Sequence, residues 1–286
     1  MKTIGIFYFS GTGNTELAAN MIRDKFTELG CKVDLLRMED IMKVGLHVDP
    51  DQYDYLGIGC PVIGFGVPRL AVKFIRDLPN AYGKKTFIFR TAGGVAPVNY
   101  NASNPIIGRL SRKGYEVEYE RVFSISSNWM VKFDDTVVKQ LLIATKGKAE
   151  SMCLEILRGD KRILKTGIGL RLLMGMARTL SSGMLRFMGK DFVVDQTCSH
   201  CMICIRNCPM DNICEKDGKI RFGLSCSSCM RCIYSCPNHA IRFRILTFFP
   251  VKDGYNLTNT LSNPCAAAED INVPPFFYDY IQNDYL

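Results

Sequence analysis

The feature that restricts this chain most is a pair of cysteine runs with the same spacing. Each run has the pattern C-x2-C-x2-C-x3-C-P, and the second begins 28 residues after the first. The segments 198–213 and 226–241 agree at nine of sixteen positions, which identifies an internal duplication. The cysteines of the two runs are Cys198, Cys201, Cys204, Cys208, Cys226, Cys229, Cys232 and Cys236.

The spacing of these cysteines favours iron–sulfur clusters. Three thiolates at this spacing can bind three irons of one cubane cluster, while the fourth, followed by a proline, can reach a second cluster. Zinc is the alternative, because C-x2-C pairs also suit a tetrahedral zinc ion. A zinc site, however, uses four ligands in two pairs rather than a double run of four. The pattern therefore predicts two 4Fe-4S clusters.

The other cysteines and the start of the chain indicate a reducing compartment. Thirteen cysteines is an odd number and eight of them lie in compact runs, which favours metal binding over a disulfide scaffold. The opening residues, MKTIGIFYFSGTG, lack the long apolar core and the cleavage site of a secretory signal. We therefore expect a cytoplasmic protein, and its 286 residues leave room for two domains.

Strand-like and helix-like patterns alternate over the first 150 residues. Apolar runs predict strands over residues 3–9, 32–38, 54–60, 85–90 and 116–125. Helical patterns fall between or after them, over residues 14–29, 68–78, 104–113 and 134–157. Parallel neighbouring strands need crossover helices, so this alternation predicts an α/β fold with a doubly wound parallel sheet. Ligands of such sheets bind at the carboxyl ends of the strands.

The loop after the first predicted strand, within YFSGTGNTE, has the composition of a phosphate site. A helix N-terminus offers unpaired backbone N–H groups and a positive dipole end. Gly11 and Gly13 allow close approach of the backbone, and the remaining side chains of the loop supply hydroxyl and amide groups. The chain has no Walker lysine here and no GxGxxG motif, so we interpret the loop as a monophosphate site.

Two later loops, GCPVIGFGVP at 59–68 and TAGGVAP at 91–97, follow the third and fourth predicted strands. With these loops and its T-G-N-T motif, the chain resembles the flavodoxin family over about residues 1–150. The resemblance implies a flavodoxin-like sheet of order 2-1-3-4-5 and a bound FMN. Its phosphate would lie on Ser10, Gly11, Thr12, Gly13, Asn14 and Thr15. Its ring would lie near Cys60, Pro61, Val62, Ile63, Gly64, Phe65, Thr91, Ala92, Gly93, Gly94, Asn128 and Trp129.

Residues 190–245 resemble the bacterial two-cluster ferredoxins, which implies a small α+β domain. The resemblance implies that Cys198, Cys201, Cys204 and Cys236 hold one cluster. It assigns the second cluster to Cys208, Cys226, Cys229 and Cys232. Pro209 and Pro237 would turn the chain after the crossing ligands, and the segments DFVVDQTC and HAIRF would supply flanking strands.

The remaining cysteines, Cys31, Cys60, Cys153, Cys214 and Cys265, have no ligand-like spacing. Cys60 lies in the predicted flavin loop, where a small apolar filler is the alternative to a flavin contact. His200 and His239 fall within the cysteine runs, and we interpret them as surface side chains rather than metal ligands.

Two segments lie outside the motif regions. Residues 158–190 predict a basic amphipathic helical connector, since residues 151–190 have eight Lys or Arg and two Asp or Glu. We expect it to pack its apolar stripe on the neighbouring domains, with docking to an acidic partner or a membrane surface as alternatives. The acidic, aromatic-rich tail, 246–286, allows packing across a domain or docking of a partner. We expect one domain over residues 1–157, before the connector, and a second over residues 191–245, between the connector and the tail.

As a whole the chain resembles the flavodoxin and ferredoxin fusion proteins of anaerobic bacteria and archaea. The resemblance implies electron transfer between clusters, FMN and a redox partner protein. One alternative is an FMN-dependent reductase of a quinone, nitro compound or activated alkene, with Tyr100 as candidate acid. Another is a redox sensor. The localised charge excess argues against a nucleic-acid partner, and no transmembrane segment is expected.

Overall fold

The computed structural model describes residues 1–252, 254–262 and 273–283. Five parallel strands form its central sheet in the order β2-β1-β3-β4-β5, so the predicted sheet and strand order are confirmed. The strands are β1 (Thr3–Tyr8), β2 (Lys32–Arg37), β3 (Tyr55–Pro61), β4 (Lys84–Ala92) and β5 (Tyr115–Ser124). Their apolar runs are buried because helices cover both faces of the sheet.

Helices cover both faces of the sheet. Those up to residue 158 are α1 (Asn14–Glu28), α2 (Met38–Val44), α3 (Arg69–Asp77), α4 (Pro97–Tyr100), α5 (Asn104–Arg112) and α6 (Asp135–Arg158). All except α6, which follows β5, lie between strands, and the short helices α2 and α4 were not predicted from the sequence. One face is covered by α1 and α6, and the other by α3 and α5.

The connector contains one long helix, α7 (Ile168–Met188). The expected packing of its apolar stripe is wrong, because most of its large apolar side chains are exposed, including Leu172 at 66% and Leu180 at 77%. The polar face of α7 instead contacts the loop after β3, where Ser181 Oγ donates a hydrogen bond to the carbonyl oxygen of Gly64 at 2.6 Å. Among the described residues, no helix is both long enough and apolar enough to cross a membrane.

The cysteine-rich segment forms two small antiparallel sheets around its own apolar core. Strand β6 (Phe192–Val194) pairs with β9 (Ile241–Phe243), as expected from the flanking segments. Strand β7 (Ile213–Lys216) pairs with β8 (Lys219–Phe222). Each cysteine run contains one short helix, α8 (Ile203–Arg206) or α9 (Arg231–Tyr234).

The sequence duplication is also a duplication of the backbone. Six non-glycine residues in the two runs have left-handed backbone angles, and they form three pairs separated by 28 residues. The pairs are His200 and Ser228, Met202 and Met230, and Asp211 and His239. Left-handed residues are uncommon outside glycine, so this shared pattern indicates that both runs curve around their cysteines in the same way.

The tail packs against the amino-terminal half of the chain. Helix α10 (Leu257–Ser262) and helix α11 (Pro275–Gln282) both contact α6. The Tyr280 hydroxyl lies 2.8 Å from Thr145 Oγ1, and the Phe277 ring packs edge-on against Phe133. Of the two possibilities raised by the sequence, the described tail residues therefore pack across a domain. Cys265 lies outside the described residues.

Candidate functional site

The predicted phosphate loop lies between β1 and α1. Gly13 precedes the helix with a left-handed φ of 101°, a conformation that favours glycine. Its N–H donates to Ser10 Oγ at 3.1 Å, which tightens the turn. No side chain in the described part of the structure caps α1, so the amides of its first turn remain suited to an anion.

Hydrogen bonds join this loop to the end of β4 and to the loop that follows β5. Thr15 Oγ1 lies 2.7 Å from Thr91 Oγ1, and both side chains are buried. Asn14 Nδ2 donates to the Ser126 carbonyl at 2.9 Å. Asn128 Nδ2 donates to Thr12 Oγ1 at 2.8 Å. The carboxyl ends of three strands thus form one connected site, as expected for a doubly wound sheet.

These loops enclose a cavity of about 150 Å³, which we call the loop cavity. It brings together most of the residues predicted to contact FMN. Those that line it are Ser10, Gly11, Thr12, Asn14, Thr15, Pro61, Val62, Ile63, Gly64, Thr91, Ala92, Gly93, Asn128 and Trp129. Trp129 also packs edge-on against Phe249, with ring centroids 5.0 Å apart.

Four predicted contacts do not line the loop cavity. Gly13 belongs to the turn itself, where its N–H donates to Ser10 Oγ. Cys60 is fully buried in the core, where burial raises the pKa of its thiol to about 12, in agreement with an apolar filler. Phe65 lies at the exposed tip of a tight turn closed by mutual backbone hydrogen bonds between Ile63 and Gly66. Gly94 faces the ring of Phe276 from the tail, which would overlap any added Cβ atom.

Three residues of the loop cavity were missed by the sequence interpretation. Ser126 and Ser127 belong to the SSNWM segment, so the same segment could have indicated them. Cys229 comes from the second cysteine run and could not have been found, because its position depends on how the cysteine-rich segment docks.

The volume of the loop cavity bears on the group that it could hold. At about 150 Å³ it is smaller than the roughly 300 to 1,000 Å³ typical of small-molecule sites. Its hydroxyl and amide groups suit a phosphate and an attached polyol chain. A complete flavin therefore needs more space than the loop cavity provides.

Arg90, near the end of β4, binds the segment that follows this strand and also forms a buried ion pair with Glu120 of β5. Arg90 Nη1 donates to the Asn99 carbonyl at 2.6 Å, and Arg90 Nη2 lies 3.3 Å from Glu120 Oε1. Burial raises the pKa of Glu120 and lowers that of Arg90, while each charge opposes the shift of the other. Arg90 also binds the backbone of Tyr100, whose side chain does not line the loop cavity. The candidate acid thus lies outside this site.

The first predicted set of cysteines surrounds a small apolar cavity. Cys198, Cys201 and Cys204 from the first run line it together with Cys236 from the second. The walls are largely apolar, formed by Val194, Ile203, Ile220 and Ile241 among others. Cys201 is exposed, so this cavity lies near the surface.

The second predicted set lies deeper. Burial raises the pKa of Cys232 far above its ordinary value. The neighbouring thiols of Cys229, Cys226, Cys208 and Cys204 raise it further. Burial is the main cause that raises the pKa of Cys226 to about 12. The thiol of Cys229 contributes next, and that of Cys208 contributes less. Buried neighbouring thiols resist joint ionisation unless cations accompany them, and bound metal ions would supply that charge.

Backbone N–H groups donate hydrogen bonds to three cysteine sulfur atoms, two of the second set and one of the first. The N–H groups of Asn212 and Ala240 donate to Cys208 Sγ and Cys236 Sγ, each at 3.3 Å. The two acceptors occupy equivalent positions of the duplication. Ser228 N–H likewise donates to Cys226 Sγ at 3.3 Å. Such bonds favour thiolate over thiol and tune iron–sulfur clusters.

The described residues contain no group of three or more His, Cys, Asp or Glu side chains arranged for a single metal ion. A cubane cluster distributes its four thiolates over four irons, so its ligands surround a cage instead of converging on one ion. The cysteine sets around each position are therefore compatible with clusters.

The second cysteine run contacts the phosphate loop directly. Arg231 Nη2 donates to the Ser10 carbonyl at 2.5 Å and pairs with Glu39 Oε1 at 2.6 Å. Arg231 Nε donates to the Gly11 carbonyl at 3.3 Å. Together with Cys229 in the wall of the loop cavity, these bonds bring the second cysteine set next to the phosphate loop.

Comparisons with known proteins agree with the amino-terminal fold. The Flavodoxin family model matches residues 6–101. Flavodoxin from Megasphaera elsdenii is 36% identical over 94 residues, which cover 32% of this chain and 65% of that protein. Flavodoxin from Nostoc sp. is 38% identical over 65 residues, covering 23% of this chain, so the chain spans about a third of that relative's length (35%).

Among solved structures, oxidised flavodoxin 2 from Bacillus cereus aligns with a TM-score of 0.41 at 20% identity, covering 55% of this chain and 99% of that one. The residues matched by the family model, 6–101, include the phosphate loop and the loop after β4. Because of this match and of its β2-β1-β3-β4-β5 sheet, the amino-terminal part of this chain is flavodoxin-like.

Proposed function

We propose that this chain transfers electrons between two 4Fe-4S clusters and FMN, and so converts one-electron into two-electron steps. The observation that carries the proposal is the shared wall of the loop cavity. Cys229, from the second cysteine run, lines the same cavity as the phosphate loop. The chain thus joins two kinds of redox site with contacts between their own ligand-bearing segments.

In this proposal the FMN phosphate binds the amides and hydroxyls of residues 10–15, and the ring lies between the loop at 61–64 and the loop at 91–93. Trp129 borders the ring. The flavin can store one or two electrons, whereas each cluster passes one at a time. Cys229 of the second cysteine run and the loops of the amino-terminal domain form the walls of the loop cavity together.

The clusters in this proposal keep the ligands assigned from the sequence. Cys208, Cys226, Cys229 and Cys232 hold the cluster next to the flavin. Cys198, Cys201, Cys204 and Cys236 hold the outer cluster. Because Cys201 is exposed, a redox partner protein would exchange electrons on that side. The functional units are then residues 1–157 for FMN, 158–190 as connector, 191–245 for the clusters and 246–286 as tail.

Anaerobic preparation of the full chain tests the proposal. We expect eight irons, eight acid-labile sulfides and one FMN per chain, and two interacting cluster signals in electron paramagnetic resonance after reduction. After mixing with a one-electron reductant such as reduced methyl viologen, flavin bleaching should follow cluster reduction. A folded, FMN-binding protein without iron or sulfide after anaerobic preparation would overturn the proposal.

A second function, an FMN-dependent reductase fed by the clusters, is favoured by a different observation. A cavity of about 500 Å³ adjoins the loop cavity, and Ile63 and Gly64 line both. Fast, saturable oxidation of the reduced protein by a quinone, a nitro compound or an activated alkene would support the reductase. Oxidation by redox proteins alone would support the carrier.

A further inference from the structure

The larger cavity has a strongly positive lining. It lies between the turn at 63–68, helix α3, helix α7 and the second cysteine run, and we call it the basic cavity. None of the described residues that line it is Asp or Glu. Its basic residues are Arg69, Lys73, Arg76, Arg109, Arg178 and Arg186.

Most of this positive charge is not neutralised by carboxylates. Arg69 donates to the Leu224 carbonyl at 2.9 Å, Arg109 to the Pro105 carbonyl at 2.8 Å, and Arg178 to the Asn101 carbonyl at 3.3 Å. Neutral carbonyls orient a guanidinium but leave its charge in place. Within the described part of the chain, Arg76 alone among the six pairs with a carboxylate, that of Asp77 at 2.9 Å.

The hydroxyl groups of the lining are not the donors that a ligand would use. Ser227 is 5% exposed, and its Oγ atom is buried with no hydrogen-bond partner within the described structure. The hydroxyls of Thr179, Ser181 and Ser182 already donate to the carbonyl oxygens of Gly175, Gly64 and Thr179. The basic side chains therefore supply both the positive charge and the hydrogen-bond donors that the lining offers to a ligand.

We infer that the basic cavity binds a small polyanion, a molecule with two or more phosphate or carboxylate groups. Guanidinium groups match the planar geometry of both anions and bind them through paired hydrogen bonds. The volume of about 500 Å³ lies within the range of small-molecule sites. Several cations around one concave site match a ligand with several anionic groups better than they match a ligand with one anionic group.

The basic cavity adjoins the predicted flavin site, because Ile63 and Gly64 line both cavities. Ser181 of α7 donates to the Gly64 carbonyl oxygen at 2.6 Å. Cys226, an assigned ligand of the inner cluster, also lines the basic cavity. The inference rests on the lining alone and is independent of the proposed electron transfer.

Isothermal titration calorimetry on the full chain saturated with FMN tests the inference, because FMN then occupies the phosphate loop. The probes are tripolyphosphate, citrate and orthophosphate. We expect one molecule of tripolyphosphate or citrate per chain, bound at least about tenfold more tightly than orthophosphate. Tighter binding of tripolyphosphate would assign a phosphorylated ligand, and tighter binding of citrate a polycarboxylate.

Substitutions of residues that line the basic cavity test whether the polyanion binds there. Arg178→Ala and Arg109→Ala should each weaken the preferred probe by about tenfold or more. Arg178→Lys should weaken it less, since it keeps the charge but not the paired donors. Arg171→Ala is the matched control on the same helix, since Arg171 is exposed and outside the basic cavity.

Several results would overturn the inference: no saturable binding of either polyanion, equal affinity for orthophosphate, or equal losses in Arg171→Ala and Arg178→Ala. Circular dichroism confirms that each variant is folded, and Arg178→Lys keeps the test valid where Arg178→Ala is unstable. A chain that lacks iron would disprove the proposed electron transfer and still report on this cavity.

Discussion

Gly11 of the phosphate loop lies directly against the main chain of Cys229 in the second cysteine run. A Cβ atom added to Gly11 would overlap the carbonyl oxygen of Cys229 and lie 3.0 Å from its Cβ atom. The close approach of these two residues therefore requires glycine at this position. It brings a predicted cluster ligand into the wall of the predicted flavin site.

Replacing Gly11 by alanine should force these segments apart. We expect Gly11→Ala to reduce the free energy of unfolding by about 1 to 3 kcal/mol, as for other overpacked contacts. Gly108→Ala is the control, because Gly108 lies in α5 with open space around its Cα, and alanine should stabilise that helix by about 0.5 to 1 kcal/mol. Urea unfolding followed by circular dichroism measures both changes. Equal stability of Gly11→Ala and the wild type would contradict the close packing.

Arg231 should contribute strongly to the docking of the cysteine-rich segment. Its partner Glu39 is 3% exposed, so Arg231→Ile leaves a buried carboxylate unpaired, at a cost of about 3 to 5 kcal/mol. Arg231→Ile with Glu39→Leu should recover most of that loss, because an apolar pair replaces the charges. Urea unfolding gives both values. Arg242→Ala, which removes an exposed ion pair with Asp195, should cost less than about 1 kcal/mol.

The two cysteine sets should respond differently to equivalent substitutions. Cys201 and Cys229 occupy the same position in the two runs, but Cys201 is exposed and Cys229 is buried beside the phosphate loop. We expect Cys201→Ala to abolish one cluster's paramagnetic resonance signal and leave FMN bound. Cys229→Ala should abolish the other signal and also weaken FMN. Equal FMN contents in both variants would argue against the inner position of Cys229.

Trp129 provides a direct optical test of the flavin site. It is the only tryptophan of the chain and lines the loop cavity. Titration of the FMN-free protein with FMN should quench its fluorescence, with an end point of one FMN per chain. Riboflavin, which lacks the phosphate, should bind at least about tenfold more weakly, because it cannot use the phosphate loop. Unchanged fluorescence on FMN binding would place the ring away from Trp129.

Asp134 should stabilise helix α6 at neutral pH as its N-cap. Its Oδ1 accepts hydrogen bonds from Thr136 Oγ1 and Thr136 N, and these bonds lower the pKa of the carboxyl group. Because the pKa is lowered in the folded state, the contribution is complete above the unfolded value of about 3.9 and is lost as the pH falls through the folded value.

Asp134→Ala should therefore cost about 1 kcal/mol, and the cost should stay constant between pH 7 and pH 5. Asp134→Asn, which keeps the cap, should cost only a few tenths of that. Urea unfolding at the two pH values measures these differences. A marked fall in the cost between pH 7 and pH 5 would disagree with the lowered pKa.

The sheet and the phosphate loop could be predicted from the sequence because their signals are local. Strands buried on both faces require continuous apolar runs, and a phosphate loop requires glycine and hydroxyl residues between a strand and a helix. The duplicated cysteine spacing is equally local. Each of these features depends on residues that lie within one short segment of the chain.

Features that depend on docking could not be predicted. Arg231 and Gly11 are 220 positions apart, and nothing near either residue indicates their contact. Phe276 occupies the space beside Gly94, although the tail has no periodic pattern that would place it there. The apolar residues of α7 predicted a packed stripe, but the helix uses its polar face to contact the loop after β3. The basic cavity collects arginines from several separate segments.

The duplicated backbone supplies an internal reference within one molecule. Because the paired left-handed residues give both runs the same backbone shape, differences between the runs come from the side chains that differ between them and from their neighbours. Ile203 and Arg231 occupy equivalent positions, and Arg231 makes the contacts with the phosphate loop. Exchanging these two side chains would test whether a single residue decides which copy faces inward and which faces a partner.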